Sequence, residues 1–148
     1  MISVEVHVDT SRFDRMLSDM PAAMARAREQ ALLDIGAEVV SRANRAFKTE
    51  SLRPSPWAPR KHNYPHQILQ KSGAMKKGIG AKLRGTDTVV VGTPAEYAGY
   101  HQFGTKRMPA RPFFPIDKNG QLVPGMERKI QRVIEKDFME ELGKLLGQ

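Results

Sequence analysis

Four prolines, Pro54, Pro56, Pro59 and Pro65, fall within residues 49–72 of this 148-residue chain, and they constrain its fold more than any other feature. Proline removes a backbone donor and fixes φ, so a stretch with four of them is neither continuous helix nor central strand. The stretch therefore reads as a long loop. Loops beyond about 15 residues are uncommon inside compact domains and are usually functional or ordered by a partner. A second set, Pro109, Pro112 and Pro115, pushes each preceding residue away from the helical region and makes 108–115 extended. Regular structure is confined to what lies before, between and after these two tracts.

Ahead of the first tract, Ile2, Val4, Val6 and Val8 alternate with Ser3, Glu5 and His7, the period of a half-buried strand over residues 1–9. Asp9, Thr10 and Ser11 offer N-cap oxygens to a short helix carrying Phe13, Met16 and Leu17. From 21 to about 48, Met24, Ala27, Ala31, Ile35, Val39, Ala43 and Phe47 recur at spacings of three and four, which marks one long helix whose alanines admit a close neighbour. Arg26, Arg28, Glu29, Asp34, Glu38, Arg42 and Arg45 fall on the opposite side and are expected to face solvent. Between the tracts, a helical turn is expected within 68–75. Residues 76–83 and 88–92 then pair as a hairpin, with Val89, Val90 and Val91 in its more buried strand. Residues 95–103 read as a short helix that Gly104 ends. Beyond the second tract Asn119-Gly120 signals a tight turn, and Met126, Ile130, Val133, Ile134, Phe138, Leu142 and Leu145 line one face of a helix over about 124–146. The expected fold is α+β: a small antiparallel or mixed sheet packed against a long N-terminal helix and a C-terminal helix. A single domain over 1–148 is expected, with 51–75 as an extended basic loop or arm.

The charge is uneven. Residues 1–50 carry seven basic and eight acidic side chains, 51–111 carry eleven and two, and 112–148 carry six and six, so the net +8 comes from a +9 middle. A localised positive field faces phosphate, an acidic partner or an acidic subunit surface. The absence of cysteine removes disulfides, thiolate metal sites and thiol nucleophiles. No apolar run approaches the roughly 18 residues of a spanning helix, and residues 1–9 lack the basic and apolar regions of a signal peptide. Export and membrane insertion are not expected. Gly73 and Gly78 have phosphate-loop spacing, but Ile79 and Gly80 stand where Lys and Ser or Thr are needed. His62 and His66 are four apart with Pro65 between them, which breaks the helical face that metal ligands at this spacing share. Asp87 and Glu96 are the only carboxylates between 51 and 111, too few for paired-carboxylate chemistry there. No cofactor, metal or catalytic set is expected.

One segment is dense in aromatics, glycines and arginine: Tyr97-Ala98, His101-Gln102-Phe103-Gly104-Thr105, then Met108-Pro109-Ala110-Arg111-Pro112-Phe113. Tyr97, Tyr100 and Phe103 place rings three residues apart on a short helix. Arg111, held between Ala110 and Pro112, can aim its guanidinium at a fixed carboxylate or carbonyl. A plainer reading has Tyr97, Phe103 and Phe113 closing the core and Arg111 pairing with an internal acid. In this order and spacing the segment resembles the phage virion morphogenesis family, the tail completion proteins, and more loosely the neck proteins of tailed phages. Trp57-Ala58-Pro59, residues 68–73, Val89 to Thr93 and the last helix extend the resemblance over roughly residues 55–140. Phe114 is bulkier than the aliphatic residue the pattern carries after Phe113, and the Asn119-Gly120 turn lengthens the approach to the last helix.

The resemblance implies a non-enzymatic virion protein that completes the tail as a ring, typically of six subunits, at its head-proximal end and joins it to the head. Its implied partners are copies of itself, the tail terminator and tube, and head-side connector proteins; its implied location is the virion neck, and the host cytoplasm during assembly. Tyr97, His101, Phe103, Gly104, Arg111, Pro112 and Phe113 are the motif and interface candidates. Trp57 is expected to anchor the arm on a neighbour. Arg53, Arg60, Lys61, Lys71, Lys76 and Lys77 are expected to meet either DNA in the channel or an acidic partner. Charge alone also fits a free-standing nucleic-acid-binding protein, although no recognition motif for that role stands in the sequence.

Overall fold

The computed structural model describes residues 2–8, 21–145 and 147; the expected short helix with Phe13, Met16 and Leu17 lies outside them. Three antiparallel strands form the sheet: β1 (Ile2–His7), β2 (Gly80–Arg84) and β3 (Thr88–Thr93), in the order β1-β3-β2. The valine-rich β3 is central, as its apolar run requires. Val4 faces Val91 and Val6 faces Val89 in the β1–β3 register, and these four side chains are buried together. The alternate residues of β1, Ser3, Glu5 and His7, lie exposed on the other face. There Arg84 of β2 reaches across β3 to fork both carboxylate oxygens of Glu5.

Helix α1 (Pro21–Ala46) crosses the buried face of the sheet. Every apolar position anticipated from Met24 to Phe47 is buried. The closest approach is at Gly36, where a Cβ would stand 2.9 Å from both Ala81 Cβ and Val89 Cγ2. A residue with any side chain would force the helix off the strands. The last helix, α4 (Pro124–Leu145), runs along α1 and buries Met126, Ile130, Ile134 and Phe138. Here the expectation for α1 needs correction. Arg28, Asp34, Glu38 and Arg42 are half-buried rather than solvated, because α4 covers that flank. Lys129 Nζ stands 3.7 Å from Glu38 Oε2, and Arg26 Nε 3.5 Å from Glu141 Oε2.

Between these parts lie two short helices, α2 (Ala74–Lys77) and α3 (Ala98–Phe103). The first strand of the expected hairpin starts later than its sequence pattern indicates. Lys76 and Lys77 belong to α2, whose turn is held by Gly78 N donating to Ala74 O and by Thr93 Oγ1 donating to Met75 O at 3.1 Å. The Asn119-Gly120 turn is present, organised by Asp117, whose Oδ1 accepts from Asn119 N and Gln121 N.

Candidate functional site

Helix α3 carries the motif residues and sorts them by face. Ala98 and Gln102, four apart, point inward and are buried, whereas Tyr97, Tyr100 and Phe103 are 42%, 59% and 51% exposed. Of the three residues in the plainer reading, only Phe113 is core. Gly104 then reverses the chain at φ +74; a Cβ there would lie 2.8 Å from Ala110 N, so only glycine lets residues 105–111 fold back this closely. The return is fastened by a Thr105–Met108 bridge and by Arg111 N donating to His101 O at 2.7 Å. His101 is half-buried beside Arg111, and burial first, the guanidinium second, hold its pKa below the ordinary imidazole value.

The centre of this clasp is Gln102, 3% exposed. Its Oε1 accepts from Phe113 N and Phe114 N, both at 3.0 Å, and its Nε2 donates to Phe114 O at 3.3 Å. One side chain satisfies two backbone amides that burial of both phenylalanines takes away from water, and gives a second donor to Phe114 O, which also accepts from Ile116 N at 2.8 Å. The sequence reading missed it, since a single glutamine between two aromatics carries no periodic signal. Phe113 packs on Phe47 and Phe114 with ring centroids 5.2 and 4.8 Å away, so the bulk of Phe114 is taken up by the core.

The proline-rich loop is tied to the same clasp. Trp57 Nε1 donates to Pro112 O at 2.7 Å and the indole meets Phe47 edge-on at 6.0 Å. Both of these contacts are with its own chain. Arg53 donates to Ala46 O and Phe47 O at 2.7 and 3.2 Å, closing the carbonyl end of α1, and lies 3.7 Å over the indole. Arg111 settles on carbonyls, not an acid: Nε donates to Ala58 O at 3.0 Å and Nη2 to Pro59 O at 3.1 Å.

Past Pro59 the loop stands away from the body and forms one wall of a cleft of about 350 Å³, with Arg107 to Arg111 as the other wall. Arg60, Lys61, Arg107 and Arg111 line it together with His62, Tyr64 and His66, and no carboxylate does. Tyr64 stacks on His66 at 5.4 Å. Arg60 is turned inward onto Tyr64 O and His66 O, which leaves Lys61 and Arg107 as exposed heads. Lys71, Lys76 and Lys77 gather separately, around a groove of about 670 Å³ that Asn44 and Ile79 also line. The six basic candidates are therefore split: Arg53 is structural, Arg60 and Lys61 belong to one cleft, and the three lysines belong to another. Arg107, which the sequence reading passed over, joins the first cleft only because Gly104 turns the chain. Among the described residues no three His, Asp or Glu side chains come together as metal ligands, and no helix is long and apolar enough to cross a membrane.

The profile of the phage virion morphogenesis family matches residues 8–142. This chain belongs to the phage virion morphogenesis family. Membership gives it a structural or assembly role in a phage virion. The chain is also similar to the Mu-like prophage FluMu G protein 1 of Haemophilus influenzae (strain ATCC 51907 / DSM 11121 / KW20 / Rd), at 40% identity over 57 residues. That match covers 36% of this chain and 38% of the relative's length. No solved structure matches the chain.

Proposed function

We propose that this virion morphogenesis protein completes the phage tail: it forms a ring at the head-proximal end, contacts the tail terminator or tube below and the head-side connector above, and catalyses no reaction. The observation that carries the reading is the construction of α3. Gln102 ties the helix to Phe113 and Phe114 of the core, Gly104 turns the chain back and the Arg111 amide closes on His101 O, while Tyr97, Tyr100 and Phe103 stand exposed on top. Rigid aromatics on a fixed element are the composition of a protein contact, because they bury large area at little entropic cost. The test is to add the purified protein to tail tubes made without it and image them by electron microscopy. Capped tubes that then accept heads are the expected result, with capping lost when Tyr97, Tyr100 and Phe103 are all changed to serine. Tubes that join heads equally well without the protein would refute the role.

A second reading, a nucleic-acid-binding protein, is favoured by one observation: the cleft that places Lys61 and Arg107 beside the exposed, stacked Tyr64. Basic heads with an aromatic platform suit a phosphate backbone and its bases without sequence preference. Within the first reading the same cleft meets DNA passing through the neck. Binding of single-stranded DNA that depends on Tyr64, by a protein that leaves tubes uncapped, would favour the second reading.

A further inference from the structure

At 1.5 Å per residue the 26-residue α1 is about 39 Å long, and its two ends carry surfaces of opposite character. Beyond its C-terminal end, where Arg53 closes the helix, lies the basic cleft with exposed Lys61, Tyr64 and Arg107. Flanking its N-terminal half is a second cleft, about 290 Å³, formed with the last turns of α4. Four carboxylates, Glu29, Asp137, Glu140 and Glu141, line it with Leu33, and so do two cations, Arg26 and Lys144.

Among the described residues the charges of this second cleft are incompletely answered from within. Glu141 has both available cations, Arg26 at 3.5 Å and Lys144 at 3.3 Å. Among the described residues Glu140 pairs with the exposed Lys136 at 3.7 Å, a surface pair of little strength. Asp137 is 2% exposed; among the described residues no cation reaches its oxygens, and its carboxyl adjoins that of Asp34. Leu33 stands exposed at the rim. A buried carboxylate without a donor is costly unless a cation or proton reaches it. The cleft offers apolar contact and negative charge at once, which is the complement of the Lys61, Tyr64 and Arg107 surface.

We propose that the α1–α4 cleft receives the basic loop of a second copy of this chain, with Lys61 and Arg107 facing Glu29 and Glu140 and Tyr64 against Leu33. Two different complementary patches at opposite ends of one protomer make a head-to-tail contact, and such contacts close into rings when the rotation allows. The proposal rests on the ring reading above and names its subunit interface. In a closed ring every copy uses each patch once, so no acidic cleft and no basic loop is left without a partner.

Charge reversal tests it, with native mass spectrometry as the readout. Glu29→Lys with Glu140→Lys makes both ends basic; Lys61→Glu with Arg107→Glu makes both ends acidic. All four positions are exposed, so both variants should fold, which circular dichroism checks. The wild type is expected to oligomerise and to dissociate with added salt, each variant alone to stay monomeric, and an equal mixture of the two to regain oligomers containing both. Variants that assemble alone as the wild type does, a mixture that stays monomeric, or a wild type that is monomeric at high concentration and low salt would each overturn it. The ring-at-the-tail reading is judged separately. Charge-rescued oligomers that ignore tail tubes would sink that role and keep this interface; tubes capped by both variants alone would keep the role and sink the interface.

Discussion

Replacing Gln102 by leucine keeps the volume of the side chain and deletes its three hydrogen bonds. Phe113 N, Phe114 N and Phe114 O would remain where they are, because the rings of Phe113 and Phe114 stay locked in the core. Water cannot reach them there. An unpaired buried group costs about 1–3 kcal/mol; Phe114 O keeps its bond from Ile116 N, and the two amides share one oxygen, so the sum comes to about 2–4 kcal/mol. That is a large part of the roughly 5–15 kcal/mol that holds a domain folded. For a chain of this size, with a shift of about 3 °C per kcal/mol, Tm should fall by about 6–12 °C. The assay is urea and thermal unfolding followed by circular dichroism. Gln102→Glu separates the two halves of the clasp: its oxygen still accepts from both amides, but an acceptor now faces Phe114 O, so this variant should recover stability as acid protonates the carboxyl. A leucine variant within about 1 kcal/mol of the wild type would refute the argument that these backbone groups depend on one side chain.

Other consequences are open to measurement. Asp137 titrates at about 6, against 3.8 unperturbed, owing first to burial and then to the adjoining Asp34 carboxyl. The folded chain therefore holds this proton more tightly than the unfolded one, and stability falls as pH rises from about 4 through 6. Asp137→Asn should remove that slope and add up to about 3 kcal/mol above pH 7, visible in Tm against pH; a slope unchanged in the variant would contradict it. Gly36→Ala places a methyl 2.9 Å from Ala81 and Val89 and should cost about 1–3 kcal/mol by overpacking, read from denaturant unfolding. Arg111→Lys replaces a fork on two carbonyls by a point charge; cleavage by trypsin after Arg60 or Lys61 should quicken while Tm moves little, and an unchanged cleavage rate would show that the fork does not hold the loop.

Periodic features were legible from the sequence because repetition makes the signal redundant. Seven apolar positions fix the buried row of α1, and the alternation over Ile2 to Val8 fixes the face of β1. The destination of α1's charged flank was not legible. Whether Asp34 and Glu38 meet water or α4 depends on where a helix ninety residues later lies, and local pattern holds no record of that. The candidate site divided in the same way. Gly104 announced a reversal, and Arg111 between Ala110 and Pro112 announced a fixed direction. Its target could not be read, since Ala58 O and Pro59 O are backbone atoms that any sequence would offer there. Gln102 and Arg107 were missed for a related reason: each matters through contacts with residues that only the Gly104 turn brings near. Trp57, conspicuous as a lone tryptophan in a proline-rich loop, pointed outward on composition, yet Pro112 O supplies the acceptor its N–H requires.

The arginine clasps also set how strongly ionic conditions can act on this protein. Of the eleven basic side chains between residues 51 and 111, Arg53, Arg60 and Arg111 are engaged by backbone carbonyls and Arg84 by Glu5. Seven remain to displace counterions from a duplex: Lys61, Lys71, Lys76, Lys77, Lys82, Lys106 and Arg107. Where only these seven meet phosphates, the slope of log K against log salt for association of this region with DNA is about 6, against about 10 for all eleven. Four of the five arginines here serve as mortar, while the lysines and Arg107 are the exchangeable charge, a division of labour that the net charge of the chain conceals.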